Sequence, residues 1–110
     1  MTLAPDAIER LRALAADDPE LLGDVVRLFA DSEDPRGLRD ASARGAMDEV
    51  RKHAHRLRSS ALAVGSLELA DLCAQIERGV GFGALPDNER LDTVDRLVNE
   101  TSRALAASFR

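Results

Sequence analysis

Both histidines of the chain, His53 and His55, fall in "RKHAHRLRSSALAVGS", residues 51–66. Lys52, the only lysine, stands between Arg51 and His53, and Arg56 and Arg58 follow. Imidazole is the side chain best suited to nucleophilic and proton-transfer work near neutral pH. Three chemistries could draw on this cluster. A metal site would need both rings on one ion, but helical residues two apart project about 200° apart. Cys73 is the only cysteine, so no thiolate pair supports zinc. A hydrolytic triad would need Ser59 or Ser60 beside His55 with a positioned acid, and none is identifiable. A phosphoryl site needs less: one accessible imidazole with cations near it. Phosphohistidine is negatively charged, and Arg and Lys offset that charge through strong hydrogen bonds.

Helical geometry separates the two rings. Met47, Val50, Ala54, Leu57, Ala61 and Val64 alternate steps of three and four, which predicts an amphipathic helix over residues 46–64. His55 lies roughly 130° from the centre of that apolar arc and His53 only about 70° from it. His55 is therefore the solvent-facing ring, and His53 belongs at a helix–helix seam. Residues three and four away share the face of His55: Arg51, Lys52, Arg58 and Ser59, with Leu62 on the same side. An exposed imidazole among arginines also fits a merely solvated face, so the wheel alone does not decide function.

The elements that must carry this helix are punctuated clearly. Pro5 and Asp6 suit a first helical turn, and Ile8, Leu11, Leu14 and Ala15 follow at helical spacing. Asp18 and Pro19 open a second helix with Leu22, Val25, Val26 and Phe29 as its stripe. Pro35 and Gly37 are expected to break or kink it, with Leu38 and Ala41 resuming it and Gly45 as its stop. Gly65 ends the histidine helix, and Ser66 is placed to cap the next, whose inner face is Leu69, Leu72, Cys73 and Ile76. "GVGFGALP", residues 79–86, reads as a connection; it lacks the phosphate-loop pattern and follows a helix rather than a strand. Asp87 caps a last helix with Leu91, Val94, Val98, Thr101 and Leu105 inward and Phe109 near its end. The expected fold is all-α: an antiparallel up-and-down four-helix bundle with a short extra N-terminal helix.

Composition narrows the classes. A chain of 110 residues with 45% apolar residues suits one folded domain. A net charge of −5 disfavours a general nucleic-acid binder. No apolar run reaches bilayer length and the N-terminus has no signal-peptide pattern, so a cytoplasmic protein is expected. Cys73 on an inner stripe is expected to pack rather than react.

Beyond these features, "AHRLRSSALAVGS" (residues 54–66) followed by "LELADLCAQIE" (residues 67–77) resembles the histidine phosphotransfer (HPt) domain family. His55 matches the phosphorylated histidine, Leu57 the core leucine after it, and Arg58 stands where the family often has Lys. Ser60 matches a small residue, and Gly65-Ser66 the Gly-Ala step. Leu69, Leu72, Cys73, Ile76 and Glu77 fit the next helix, and "PELLGDVVRLFADS" (residues 19–32) resembles the second, with Phe29 at its aromatic position. Two departures stand out. Ser59 replaces a glycine, adding a Cβ and hydroxyl beside the ring. The stretch from 29 to 45 is about two residues shorter than the common pattern.

The resemblance implies a phosphoryl carrier in a multistep two-component relay. His55 takes the group through Nε2 from a receiver-domain aspartate and passes it to another receiver. It implies no ATP site and no cofactor of the chain's own, the Mg²⁺ belonging to the receiver. Arg58 and then Lys52 are expected to give electrostatic support. Arg51, Ser59 and Leu62 are expected to meet the partner, a receiver domain of a response regulator or hybrid sensor kinase. Residues 1–110 are expected to be one such domain, free-standing or the end of a hybrid kinase, and monomeric. Two other readings remain. A sensor-kinase dimerisation helix commonly has an acid after its histidine, where this chain has Arg56. A helical adaptor would dock a receiver or kinase without being phosphorylated.

Overall fold

The structure is a computed structural model describing residues 1–109. Its order is α1 (Pro5–Ala15), α2 (Glu20–Ala30), α3 (Asp34–Ala43), α4 (Met47–Val64), α5 (Leu67–Gly81) and α6 (Asn88–Ser108). Helices α2 and α3 together make the first member of an antiparallel four-helix bundle. Helix α3 packs on α4, α4 on α5, α5 on α6, and both α2 and α3 return to α6 to close the ring. The additional α1 packs on α2 and α4.

Helix α4 is central, and its sequence explains why. Val50, Ala54, Leu57, Ala61 and Val64 are all buried. The two alanines let neighbouring helices come close, while burying Leu57 contributes roughly 2 kcal/mol. Because Leu57 points into the core, the ring two residues earlier is turned outward. Gly65 ends α4 with φ +83°, a left-handed conformation that glycine adopts without a Cβ penalty. Its carbonyl accepts from the Ala4 amide at 2.8 Å, tying the chain ahead of α1 to the α4–α5 turn.

Several expectations are corrected. The second helix breaks, as expected, but ahead of Pro35 rather than at it. It stops at Ala30, residues 31–33 form a break, and Pro35 sits in the first turn of a separate α3. The physical reason is the residue before proline, which is pushed away from helical backbone inside a helix but tolerated at a start. Ser66 stands at the N-cap of α5 but makes no capping hydrogen bond. Its hydroxyl instead pairs with Thr101 Oγ1 at 2.7 Å inside the core, and Thr101 also donates to the Leu97 carbonyl. A buried hydroxyl left without that partner would cost about 1–3 kcal/mol, which outweighs an N-cap bond. Leu14 is exposed rather than part of the inner stripe of α1. Helix α5 runs to Gly81, three residues into the expected connection. Asp87 caps α6 as expected, its Oδ1 accepting from the Arg90 amide; Asp18 Oδ1 accepts from the Glu20 amide, but Pro19 rather than Asp18 holds the N-cap position of α2.

Candidate functional site

The outer face of α4 presents His55, its side chain 57% exposed, against α5. Glu77 reaches across from α5, with Oε2 3.3 Å from His55 Nδ1. Arg58, one turn after His55, lies between them. Its Nη2 is 3.4 Å from His55 Nδ1, and its Nε is 3.3 Å from Glu77 Oε1. That last contact is an ion pair without hydrogen-bond alignment, since Arg58 Nε and Glu77 Oε1 are buried with no hydrogen-bond partner among the described residues. Asp48, Arg51, Lys52, His55 and Glu77 line an open hollow of about 440 Å³, large enough for a phosphoryl group.

One nitrogen cannot serve both neighbours of the ring. If Nδ1 carries the hydrogen it donates to Glu77; if it carries a lone pair it accepts from Arg58. The Glu77 side chain is only 17% exposed, so its carboxylate needs donors from the protein. Oε1 has none, and without the ring Oε2 would also lack one. Donation from Nδ1 to Glu77 is the arrangement that limits this cost. It leaves the Nε2 lone pair free, and Nε2 has no hydrogen-bond partner among the described residues.

Placement of the sequence-predicted residues is mixed. Arg51, Lys52 and His55 come together around the hollow, and Arg58 flanks the ring. Ser59 and Leu62 are exposed one and two turns along α4, outside the hollow. His53 goes where its wheel position predicts. Its side chain is 18% exposed, Nδ1 is 2.9 Å from Asp34 Oδ1, and its ring lies against Gly37. Cys73 is buried in the core, where desolvation first and then the Glu77 charge push its thiol up to about 12.

Sequence reasoning missed Glu77 and Asp48 as members of the site. Glu77 belongs to the family pattern, but its wheel position on α5 says nothing about which helix it faces. Also missed was a groove between α2 and α4, lined by the apolar Val25, Leu28, Phe29, Ala63 and Val64 and the polar Asp31, Ser32, Glu33, Arg56 and Ser60. Leu28 there is 73% exposed.

A family model described as Hpt domain matches residues 2–107, nearly the whole chain. The chain belongs to the Hpt domain family. Hpt domains carry phosphoryl groups on histidine in phosphorelays, and are carriers rather than enzymes with a catalytic site of their own. Membership implies interaction with receiver domains of response regulators or kinases. No curated protein and no solved structure is matched by the chain. Among the described residues, no helix of this Hpt domain is long and apolar enough to cross a membrane.

Proposed function

We propose that His55 is the phosphoacceptor of this Hpt domain, and that residues 1–110 form one phosphoryl-carrier unit working between two receiver domains. The carrying observation is the exposed His55 ring with Nδ1 against Glu77, which leaves Nε2 as the nucleophile. In the forward step Nε2 attacks the phosphorus of a receiver aspartyl phosphate. The Nε2–P bond forms, the P–O bond to the aspartate breaks, and its electron pair stays on the receiver carboxylate. The Nδ1 hydrogen does not move in this step.

Arg58, Lys52 and Arg51 supply positive charge where the transferred group adds negative charge. Arg58 is already in place beside the ring; Lys52 and Arg51 border the hollow. Ser59 and Leu62 lie on the approach to the ring, and the Leu28 groove continues that surface toward α2. An approaching receiver covers this face, and its aspartate reaches His55. The relay partner is a receiver of a response regulator or hybrid kinase, and the domain acts as a monomer in the cytoplasm.

The test is transfer from a panel of phosphorylated receivers to wild type and to His55→Gln, with helicity measured for both. Transfer to wild type alone supports the carrier role. Transfer to a folded His55→Gln variant sinks it, and binding of a receiver without transfer identifies a docking adaptor instead.

A further inference from the structure

We propose that Glu77 keeps a proton on Nδ1 of the phosphorylated ring, so that the phosphoryl group always departs from an imidazolium. This rests on the reading of His55 as the phosphoacceptor and concerns how the carried group is released. The Glu77 carboxylate is mostly shielded from water, touches Nδ1 at 3.3 Å and leaves Oε1 without a hydrogen bond. A half-buried carboxylate so poorly satisfied is unfavourable in the resting domain. It gains a full partner once attack by Nε2 puts positive charge on the ring.

The chemistry of release requires that proton. If Nδ1 is bare, breaking the Nε2–P bond must expel an imidazolate anion, a very poor leaving group. If Nδ1 holds its hydrogen, the bond's electron pair returns to Nε2 and the ring leaves neutral. An oxygen of the next receiver's aspartate forms the new P–O bond. The same hydrogen stays on Nδ1 through uptake, storage and release, and no proton is exchanged with solvent.

Charges on both helices act on the ring. From α5, Glu77 favours the proton. From α4, Asp48 favours it more distantly, while Arg51, Lys52 and Arg58 oppose it. Glu77 prevails because it alone is in hydrogen-bond contact as an acceptor, and it engages Arg58 through Oε1. Replacing Glu77 by a neutral side chain also frees Arg58 to donate to a bare Nδ1, so both changes act in the same direction.

Phosphoramidate, which phosphorylates histidine without a protein partner, provides the probe. Wild type, Glu77→Gln, Glu77→Asp and His55→Gln are treated with it. The ¹⁵N spectrum of phosphohistidine and the pH dependence of its hydrolysis are then followed. In wild type Nδ1 carries hydrogen at neutral pH. A bare Nδ1 there overturns the proposal without reference to any variant. In Glu77→Gln the decline of hydrolysis with rising pH begins at lower pH. Its rate at neutral pH falls by up to about fivefold below wild type, and the gap widens toward about tenfold at higher pH, the effect of a one-unit displacement. The two rates converge in acid, where both rings are protonated. Glu77→Asp, which keeps the charge but loses reach, falls between. Superimposed profiles for wild type and Glu77→Gln refute the role of Glu77 and leave His55 as carrier. Failure of wild type to be phosphorylated at His55 Nε2 overturns the carrier reading and this proposal together.

Discussion

His53 and His55 are two residues apart on one helix, and each ring holds Nδ1 close to a carboxylate. The seam between α3 and α4 takes His53: its ring covers Gly37 and meets Asp34, whose side chain is only 8% exposed. Arg56 Nε adds a 3.5 Å contact to the same carboxylate, and Ser32 lies within 3.4 Å of its other oxygen. The face between α4 and α5 takes His55, where the ring is open to solvent and its partner Glu77 is half-satisfied. A satisfied, covered pair holds two helices in register. An open ring beside an unsatisfied carboxylate is available for a reaction. Exposure and completeness of hydrogen bonding, rather than residue type, separate structure from chemistry here.

The comparison breaks most decisively at the rings themselves. His55→Gln is expected to abolish phosphotransfer with helicity unchanged. His53→Ala is expected to keep transfer but lose about 1–3 kcal/mol of stability, because Asp34 loses its nearest partner. Urea unfolding and receiver transfer measured on both variants check the pair, and loss of transfer in a folded His53→Ala would erase the distinction.

Gly37→Ala attacks the same seam from the other side. A Cβ there would sit 2.4 Å from His53 Cε1 and 2.5 Å from Nε2, so the ring must move off Asp34. The expected loss is about 1–3 kcal/mol in denaturant unfolding. A midpoint equal to wild type would mean the ring is not packed on α3.

On the open face, Arg58→Ala is expected to slow transfer about tenfold while unfolding changes little, since a charged hydrogen bond to the phosphoryl group is lost. Equal single-turnover rates would assign the supporting charge to Lys52 and Arg51. The smallest effect is expected from Ser59→Gly. Glycine inside a helix costs about 0.5–1 kcal/mol, read as a lower thermal midpoint, with a smaller change in transfer than for Arg58→Ala. A larger transfer defect than that of Arg58→Ala would give the Ser59 hydroxyl a direct part in holding the phosphoryl group.

Much of this was legible in the sequence because it is periodic and local. The stripe from Val50 to Val64 determined which way α4 faces, and so which histidine is covered and which is open. Gly65 and Asp87 determined helix ends through backbone conformation and capping, which act over a few residues. The positive cluster of Arg51, Lys52 and Arg58 follows from spacing of three and four residues on one helix.

What only the tertiary structure decided lies between helices. Glu77 is 22 positions from His55 and Asp34 is 19 from His53, and no helical period relates residues on different helices. The pairing of Ser66 with Thr101 instead of its own helix end, and the break at residues 31–33 that brings Asp34 to the seam, are likewise settled by packing. Hydrogen bonds across a bundle depend on the azimuth and height at which two helices meet. Those are properties of the assembled core, and a pattern read along one helix does not contain them.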